Sequence, residues 1–168
     1  ARWWGPVQHQ WKHLEPGKAS RAPLTSALLT AEDRVQVIFT DKIKWETGTI
    51  LSTLTYTVYA DGSMDISLSA DAEEGLGSLP RVGFELVLPG GFEQLDWYGR
   101  GPGESYIDRN LAAPVGLYSS TVSGTHFPFV PVSHNGTHSD TRRVTLSRED
   151  GAALTVSGAP FYFTAHHS

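Results

Sequence analysis

The chain has 168 residues and a net charge of −5, so it carries no basic footprint for nucleic acid or an anionic membrane surface. A hydrophobic content of 39% with 11% aromatics is enough for a sizeable core in one domain and argues against disorder. With no cysteine there is no disulfide framework and no thiolate nucleophile, which is compatible with a reducing cytoplasm. No apolar run approaches the length of a membrane span, and no signal peptide opens the chain. Ala1 followed by Arg2, Trp3 and Trp4 reads as a segment cut from a longer polypeptide.

Residues 1–21 are rich in Trp, His, Gly and Pro without a sustained period, which predicts irregular structure with at most one short helical turn. His9 and His13 would share one helix face, but Gln10 stands where a zinc-protease helix needs Glu, so no zinc site is expected there. From Leu24 the pattern is β: Val35, Val37 and Phe39 alternate, and 50–59 is dense in Thr, Tyr, Val and Leu. Asp61-Gly62 predicts a hairpin, with a type I′ turn and both residues at positive φ. Beyond it Met64, Ile66, Leu68 and Ala70 alternate with Asp65, Ser67, Ser69 and Asp71, one face apolar and the other polar.

An acidic connection at 71–78 leads to Val82, Phe84, Leu86 and Leu88, a further predicted strand that ends at Pro89-Gly90-Gly91. The run 92–98 then enters the densest stretch of the chain, Trp97-Tyr-Gly-Arg-Gly-Pro-Gly-Glu-Ser-Tyr-Ile-Asp-Arg109. Gly99, Gly101 and Gly103 with Pro102 are expected to break the strand, and an extended continuation would put Glu104, Tyr106 and Asp108 on one face. Arg100 or Arg109 should pair with Glu104 or Asp108, and Tyr106 should bury its ring and hydrogen-bond its hydroxyl. More strands are predicted at 115–122, 141–146, 153–156 and 161–164, with turns at Asp150-Gly151 and Gly158-Ala159-Pro160. The whole describes an all-β antiparallel sandwich or barrel, a single domain over 1–168.

Motifs for catalysis are sparse. Gly99-Arg-Gly101-Pro-Gly103 starts like a dinucleotide fingerprint but lacks the helix whose N-terminus would hold a pyrophosphate. Neither a P-loop lysine nor a Gly-x-Ser-x-Gly elbow occurs. His126, His134, His138 and Asp140 are metal-capable, yet their spacing matches no standard site, and polar loop contacts explain them more simply. Asn135-Gly136-Thr137 is formally a glycosylation sequon with no secretory context.

Leu79-Pro80-Arg81-Val82-Gly83, the 97–109 motif, and Ser133-His134-Asn135-Gly136 with Arg142 resemble, in order and spacing, the C-terminal small-chain domain of bacterial lactose-hydrolysing β-galactosidases of glycoside hydrolase family 2. The resemblance is clear from Leu79 to about Arg142, and Phe161-Tyr-Phe-Thr-Ala165 looks like the family's next strand. Where such proteins carry a Pro-x-Glu-Asn-Gly-like loop followed by Arg, this chain has His134 and His138 at the acidic and basic positions, which bears on any salt bridge made there. The family's domain runs on beyond the equivalent of Ser168, through a loop that brings a tryptophan to the sugar site. A supersandwich of the galactose-mutarotase-like kind is therefore implied, incomplete at its C-terminal edge, with an aromatic edge at 161–164 that would seek a partner.

The resemblance further implies an accessory domain of an enzyme that cleaves terminal β-D-galactosides with retention. The catalytic carboxylates lie in a separate barrel, and no residue here is catalytic. Trp97, Tyr98, Arg100, Glu104, Tyr106, Asp108, Arg109, His134 and Asn135 are the candidates for contact with sugar or with the barrel. The implied partners are that catalytic barrel, a β-galactoside and an oligomer of the parent enzyme in the cytoplasm; no cofactor belongs to this stretch, with magnesium and sodium ions serving the parent. Two alternatives come from other classes. A stand-alone carbohydrate-binding module would stack sugars on Trp97, Tyr98 and Tyr106, and a mutarotase-like enzyme would need an acid/base pair in a concave pocket near His126 or His134.

Overall fold

The computed structural model describes residues 14, 16–74, 76, 79, 81–126 and 135–167. The described residues are all-β, with two antiparallel four-stranded sheets and, among these residues, only short 3-10 turns besides. The chain divides into two compact units, 1–84 and 85–168, each holding one sheet.

The first unit is a meander of β1 (Ser20–Thr30), β2 (Arg34–Trp45), β3 (Gly48–Tyr59) and β4 (Met64–Ala72), in that spatial order. Register follows the hydrophobic alternation, since a slip of one residue would turn every apolar side chain to the other face. Val37 lies opposite Tyr56, Ile43 opposite Ile50, and Leu54 opposite Leu68, so apolar residues of adjacent strands share a face. At one end of that face Ile50 packs with Leu14 and Leu76, flanked by Ile43, Trp45 and Leu79. Asp41 on the same face is buried and receives the Arg21 guanidinium, as a carboxylate removed from water must be paired.

The second unit orders its strands β6-β5-β7-β8, from β5 (Gln94–Arg100), β6 (Val115–Thr121), β7 (His138–Ser147) and β8 (Ala153–Phe163). Its core is Leu95, Trp97 and Val144, with Tyr118, Leu146, Val156, Phe161 and Phe163 packed around them. β5, which opens the glycine-rich motif, is hydrogen-bonded on both sides and with β7 forms the interior of the sheet.

The Asp61-Gly62 turn differs from the expected type I′ form. Tyr59 N–H reaches Ser63 O at 2.9 Å and Gly62 N–H reaches Tyr59 O at 3.0 Å, and of the two turn residues only Gly62 has a positive φ, of 86°. That is a three-residue loop closed by a glycine bulge. Arg148 to Ala152 repeats it, with Gly151 at φ 87°. In each, an Asp one residue before the glycine accepts the backbone N–H two residues on, at 2.8 Å for Asp61 and 3.1 Å for Asp150, which holds the aspartate out of the left-handed region.

One strand and one turn assignment are also corrected. The 82–88 segment is not a strand, and Val82, Phe84 and Leu86 are more than half exposed. Its alternation has no ladder to join among the described residues, and side-chain pattern alone does not satisfy a backbone. Gly158-Ala159-Pro160 is not a turn, because β8 runs through it to Phe163. Pro160 falls where the β7–β8 register shifts, a place where no ladder N–H is required of it. On the last strand Phe161 and Phe163 join the core while Tyr162 is exposed.

Gly151→Ala, in open space, should cost about 1–2 kcal/mol from its φ alone. Gly99→Ala, whose added carbon would sit 2.8 Å from the Thr141 Cα, should cost about 3 kcal/mol. Urea denaturation of the two variants measures the difference, and equal midpoints would contradict the close approach of β7 to β5.

Candidate functional site

The motif is built around Arg100 at the end of β5. The strand continues through Gly99 instead of breaking there, because the missing side chain lets β7 approach at Thr141. Trp97 is 2% exposed and donates its indole N–H to the Arg100 carbonyl at 3.0 Å. The Arg100 guanidinium meets Asp140 through Nε at 2.5 Å and donates through Nη1 to the carbonyls of Asn110 at 3.1 Å and Ala113 at 3.0 Å. Asp140 sits at the bulge between His138 and Thr141 with φ 49°, and this left-handed conformation sends its carboxylate to Arg100.

The loop that follows is tied to 136–139. Ser105 is fully buried; its N–H reaches Thr137 O at 2.7 Å, and its hydroxyl accepts from Ser139 N at 2.9 Å and pairs with the Ser139 hydroxyl at 2.9 Å. Glu104, only 11% exposed at its side chain, accepts the Gly136 N–H through Oε2 at 3.1 Å and pairs with Arg109 through Oε1. Both carboxylate oxygens are thus engaged.

His138 is 1% exposed, with its ring 4.4 Å from that of Trp97 and stacked on Phe163 at 5.1 Å. Its Nδ1 lies 3.3 Å from the Arg100 carbonyl, an acceptor, which places the proton on Nδ1. Nε2 is buried with no hydrogen-bond partner among the described residues. Burial lowers the His138 pKa below its ordinary value, against smaller upward effects from the Arg100 carbonyl and the Glu104 charge. His138 is therefore a neutral aromatic side chain inside the core.

The candidate residues separate into buried and presented groups. Trp97 lies in the core, while Arg100 and Glu104 link segments of the chain. Arg109 pairs with Glu104, as one of the expected combinations, and lies over the Tyr106 ring at 4.8 Å. Three expectations are corrected. The segment after Glu104 is not extended, because Arg109 N–H returns to Tyr106 O at 3.0 Å and makes 106–109 a turn. Asp108 therefore shares no face with Glu104 and is exposed. The Tyr106 ring is half-buried, and its hydroxyl is buried without a hydrogen-bond partner among the described residues. Tyr98 is 40% exposed with the Arg142 guanidinium 5.6 Å above its ring, Asn135 is half-buried, and His134 lies outside the described residues, as do His9 and His13.

Among the described residues no three of His, Asp and Glu come together as a metal site. His138 and Asp140 are engaged by Trp97, Phe163 and Arg100, and His126 is exposed. A shallow concavity of about 270 Å³ lies on the first sheet, lined by Leu24, Lys42, Thr49, Leu51, Asp71 and Glu73, and no motif residue borders it. Sequence reasoning missed Ser105 and Ser139, since neither a loop serine nor one at the start of a strand carries a signal of burial, and it read Asp140 only as a metal-capable residue.

Such an arrangement defines an all-β module whose glycine-rich motif joins loops and strands of the chain to one another. The family profile described as beta galactosidase small chain matches residues 4–168, and the chain belongs to that family. It is 33% identical over 107 residues to the β-galactosidase of Priestia megaterium, a stretch that covers 64% of this chain and 10% of that protein. The β-galactosidase of Vibrio cholerae is 37% identical over 109 residues (65% and 10%), and that of Kluyveromyces lactis 33% identical over 111 (64% and 11%). The chain spans about a tenth of the length of the curated relatives it matches.

Glu104→Ala should cost about 2–3 kcal/mol, as a buried N–H and an arginine lose a charged acceptor, and Glu104→Gln should recover part of this by keeping an oxygen for Gly136. Equal loss in both variants would place the effect on the Arg109 pair alone. The His138 pKa predicts a pH dependence of stability. Because the folded state holds this ring neutral, the unfolded chain binds the extra proton first, near pH 6.5, and stability falls as pH drops below that value until the folded-state pKa is passed. His138→Phe should flatten this part of the stability profile, with Trp97 still satisfying the Arg100 carbonyl; thermal unfolding from pH 7.5 to 5 measures it, and parallel curves would show that His138 does not contribute.

Proposed function

We propose that this chain is an accessory domain of a β-galactosidase. It packs against the catalytic barrel and helps form the sugar site of an enzyme that hydrolyses terminal β-D-galactosides such as lactose. Family membership and the β-galactosidase names of the relatives support the reading. The observation that carries the role within the enzyme is how the motif's charges are used. Glu104 is held by Arg109 and the Gly136 N–H, and Asp140 by Arg100. Retaining hydrolysis needs two carboxylates about 5 Å apart that flank the glycosidic bond and are open to substrate. Carboxylates locked in this way serve shape, and the exposed Asp108 alone is not a pair, so the nucleophile and the acid/base are assigned to the barrel. Magnesium and sodium, where the parent uses them, are likewise assigned outside this chain, and the parent is read as a cytoplasmic oligomer.

The purified chain should not hydrolyse a nitrophenyl β-galactoside above the buffer rate, whereas the full-length polypeptide that contains it should. Sustained turnover by the chain alone would refute the accessory role. Sugar binding by the chain alone, with loss on Tyr98→Ala, would instead favour the carbohydrate-binding module.

A further inference from the structure

The side of β5 that carries Asp96, Tyr98 and Arg100 is opposite to the side that buries Leu95 and Trp97. On this outer side Tyr98 lies across from Leu117, and Arg100 across from Val115. These apolar residues are exposed, Leu117 by 73%. Arg100 points its guanidinium to the same side and grips the carbonyls of Asn110 and Ala113, which seats the 106–113 loop at the end of this face. Two turns then lift Ile107 and Leu111 into solvent, at 80% and 99% exposure.

Isolated exposed aliphatics are ordinary on protein surfaces, but here Tyr98, Val115 and Leu117 are exposed on one side of one sheet, and Ile107 and Leu111 are exposed on the loop that joins β5 to β6. The loop is also rigid. Tyr106 and Arg109 bridge, Ala113 N–H returns to Asn110 O at 3.1 Å, and Arg100 and Glu104 fix both ends. Presenting Leu111 in one conformation removes the ordering cost that a mobile loop would meet on binding.

We propose that this face docks onto another domain of the same polypeptide, through an apolar surface bordered by one basic and one acidic group. The inference rests on the accessory-domain reading and names the surface through which that role is exerted. Charge selects the chemistry of the partner. Asp108 in the turn and Arg143 opposite Tyr98 are exposed and make no ion pair among the described residues, so a complementary surface offers a cation to the first and an anion to the second. A covalently joined domain is the occupant because the relatives are about ten times longer than the stretch matched, and tethering raises the effective concentration enough for a face of this modest size.

The absence of cysteine makes a labelling test clean for this chain. Leu111→Cys, Leu117→Cys and, as a control on the remote hairpin, Glu149→Cys are compared for maleimide labelling by peptide mass, in the isolated chain and in the full-length polypeptide. Urea midpoints of the isolated variants confirm folding. Positions 111 and 117 should label at least about tenfold more slowly in the full-length protein, while 149 is unchanged. Equal labelling at all three, in a full-length protein that cleaves β-galactoside, overturns the docking face and leaves the accessory reading standing. A full-length protein that cleaves no β-galactoside removes the accessory reading and this proposal with it. Protection of 111 and 117 in the isolated chain that grows with concentration assigns the face to a second copy and overturns the tethered partner.

Discussion

Arg100 joins five groups that would otherwise have no reason to meet. Its side chain takes the Asp140 carboxylate and the carbonyls of Asn110 and Ala113, and its own carbonyl receives the Trp97 indole and the His138 ring. One residue therefore sets the end of β5, the bulge in β7, the loop before β6 and the orientation of two buried rings. Charge-assisted hydrogen bonds in a half-buried site contribute about 1.5–3 kcal/mol each, against about 1 kcal/mol for ordinary ones. The fork of the guanidinium also fixes geometry, because three acceptors in fixed directions cannot be satisfied by a point charge on a flexible stem.

The polar layer beneath this fork is unusual for a sheet interior. Ser105, Ser139, Thr137 and Thr141 are all buried, next to a neutral histidine. Apolar residues would fill the same space without desolvation cost, but they could not bond the loop to the strand. The serine pair and the Ser139 N–H fix the loop at 105 to within hydrogen-bond tolerance of β7, a register that apolar packing leaves loose. Asp140 adds to this specificity, since a left-handed aspartate is disfavoured unless its surroundings hold it, and here Arg100 supplies that hold.

What the sequence made legible follows from range. Strands with strict alternation, such as Met64 to Ala70, and the positions of both Asp-Gly hairpins depend on neighbours within a few residues, and they appear where the pattern places them. The turn type was less legible, because Asp61 and Asp150 each accept a backbone N–H two residues on and so avoid the positive φ that a type I′ turn demands. The segment at 82–88 shows the limit of periodicity, as its alternation is as regular as that of β4 but no strand is there to pair with it among the described residues. At the site, an Arg–Glu pair could be foreseen from charge alone. The partners of Arg100 could not, since Asn110 and Ala113 contribute only carbonyls, which every residue possesses, and Asp140 lies forty residues away.

The distribution of chemistry across the motif bears on how such a domain acts. A binding loop usually keeps charged side chains available and leaves the backbone adaptable; here the charges of Arg100, Glu104 and Arg109 are consumed internally and the backbone is fixed. What remains at the surface is largely aliphatic, in Ile107 and Leu111 on the loop and Leu117 on the sheet, with Tyr98 beneath Arg142. A sugar presents hydroxyls that need a set of acceptors and donors at fixed distances, and this face offers only Asp108 and Arg143 at its border; another protein surface needs shape and apolar area, which a rigid loop on a central strand supplies. The dense motif therefore acts at one remove, holding in place a surface made of residues that look unremarkable in the sequence.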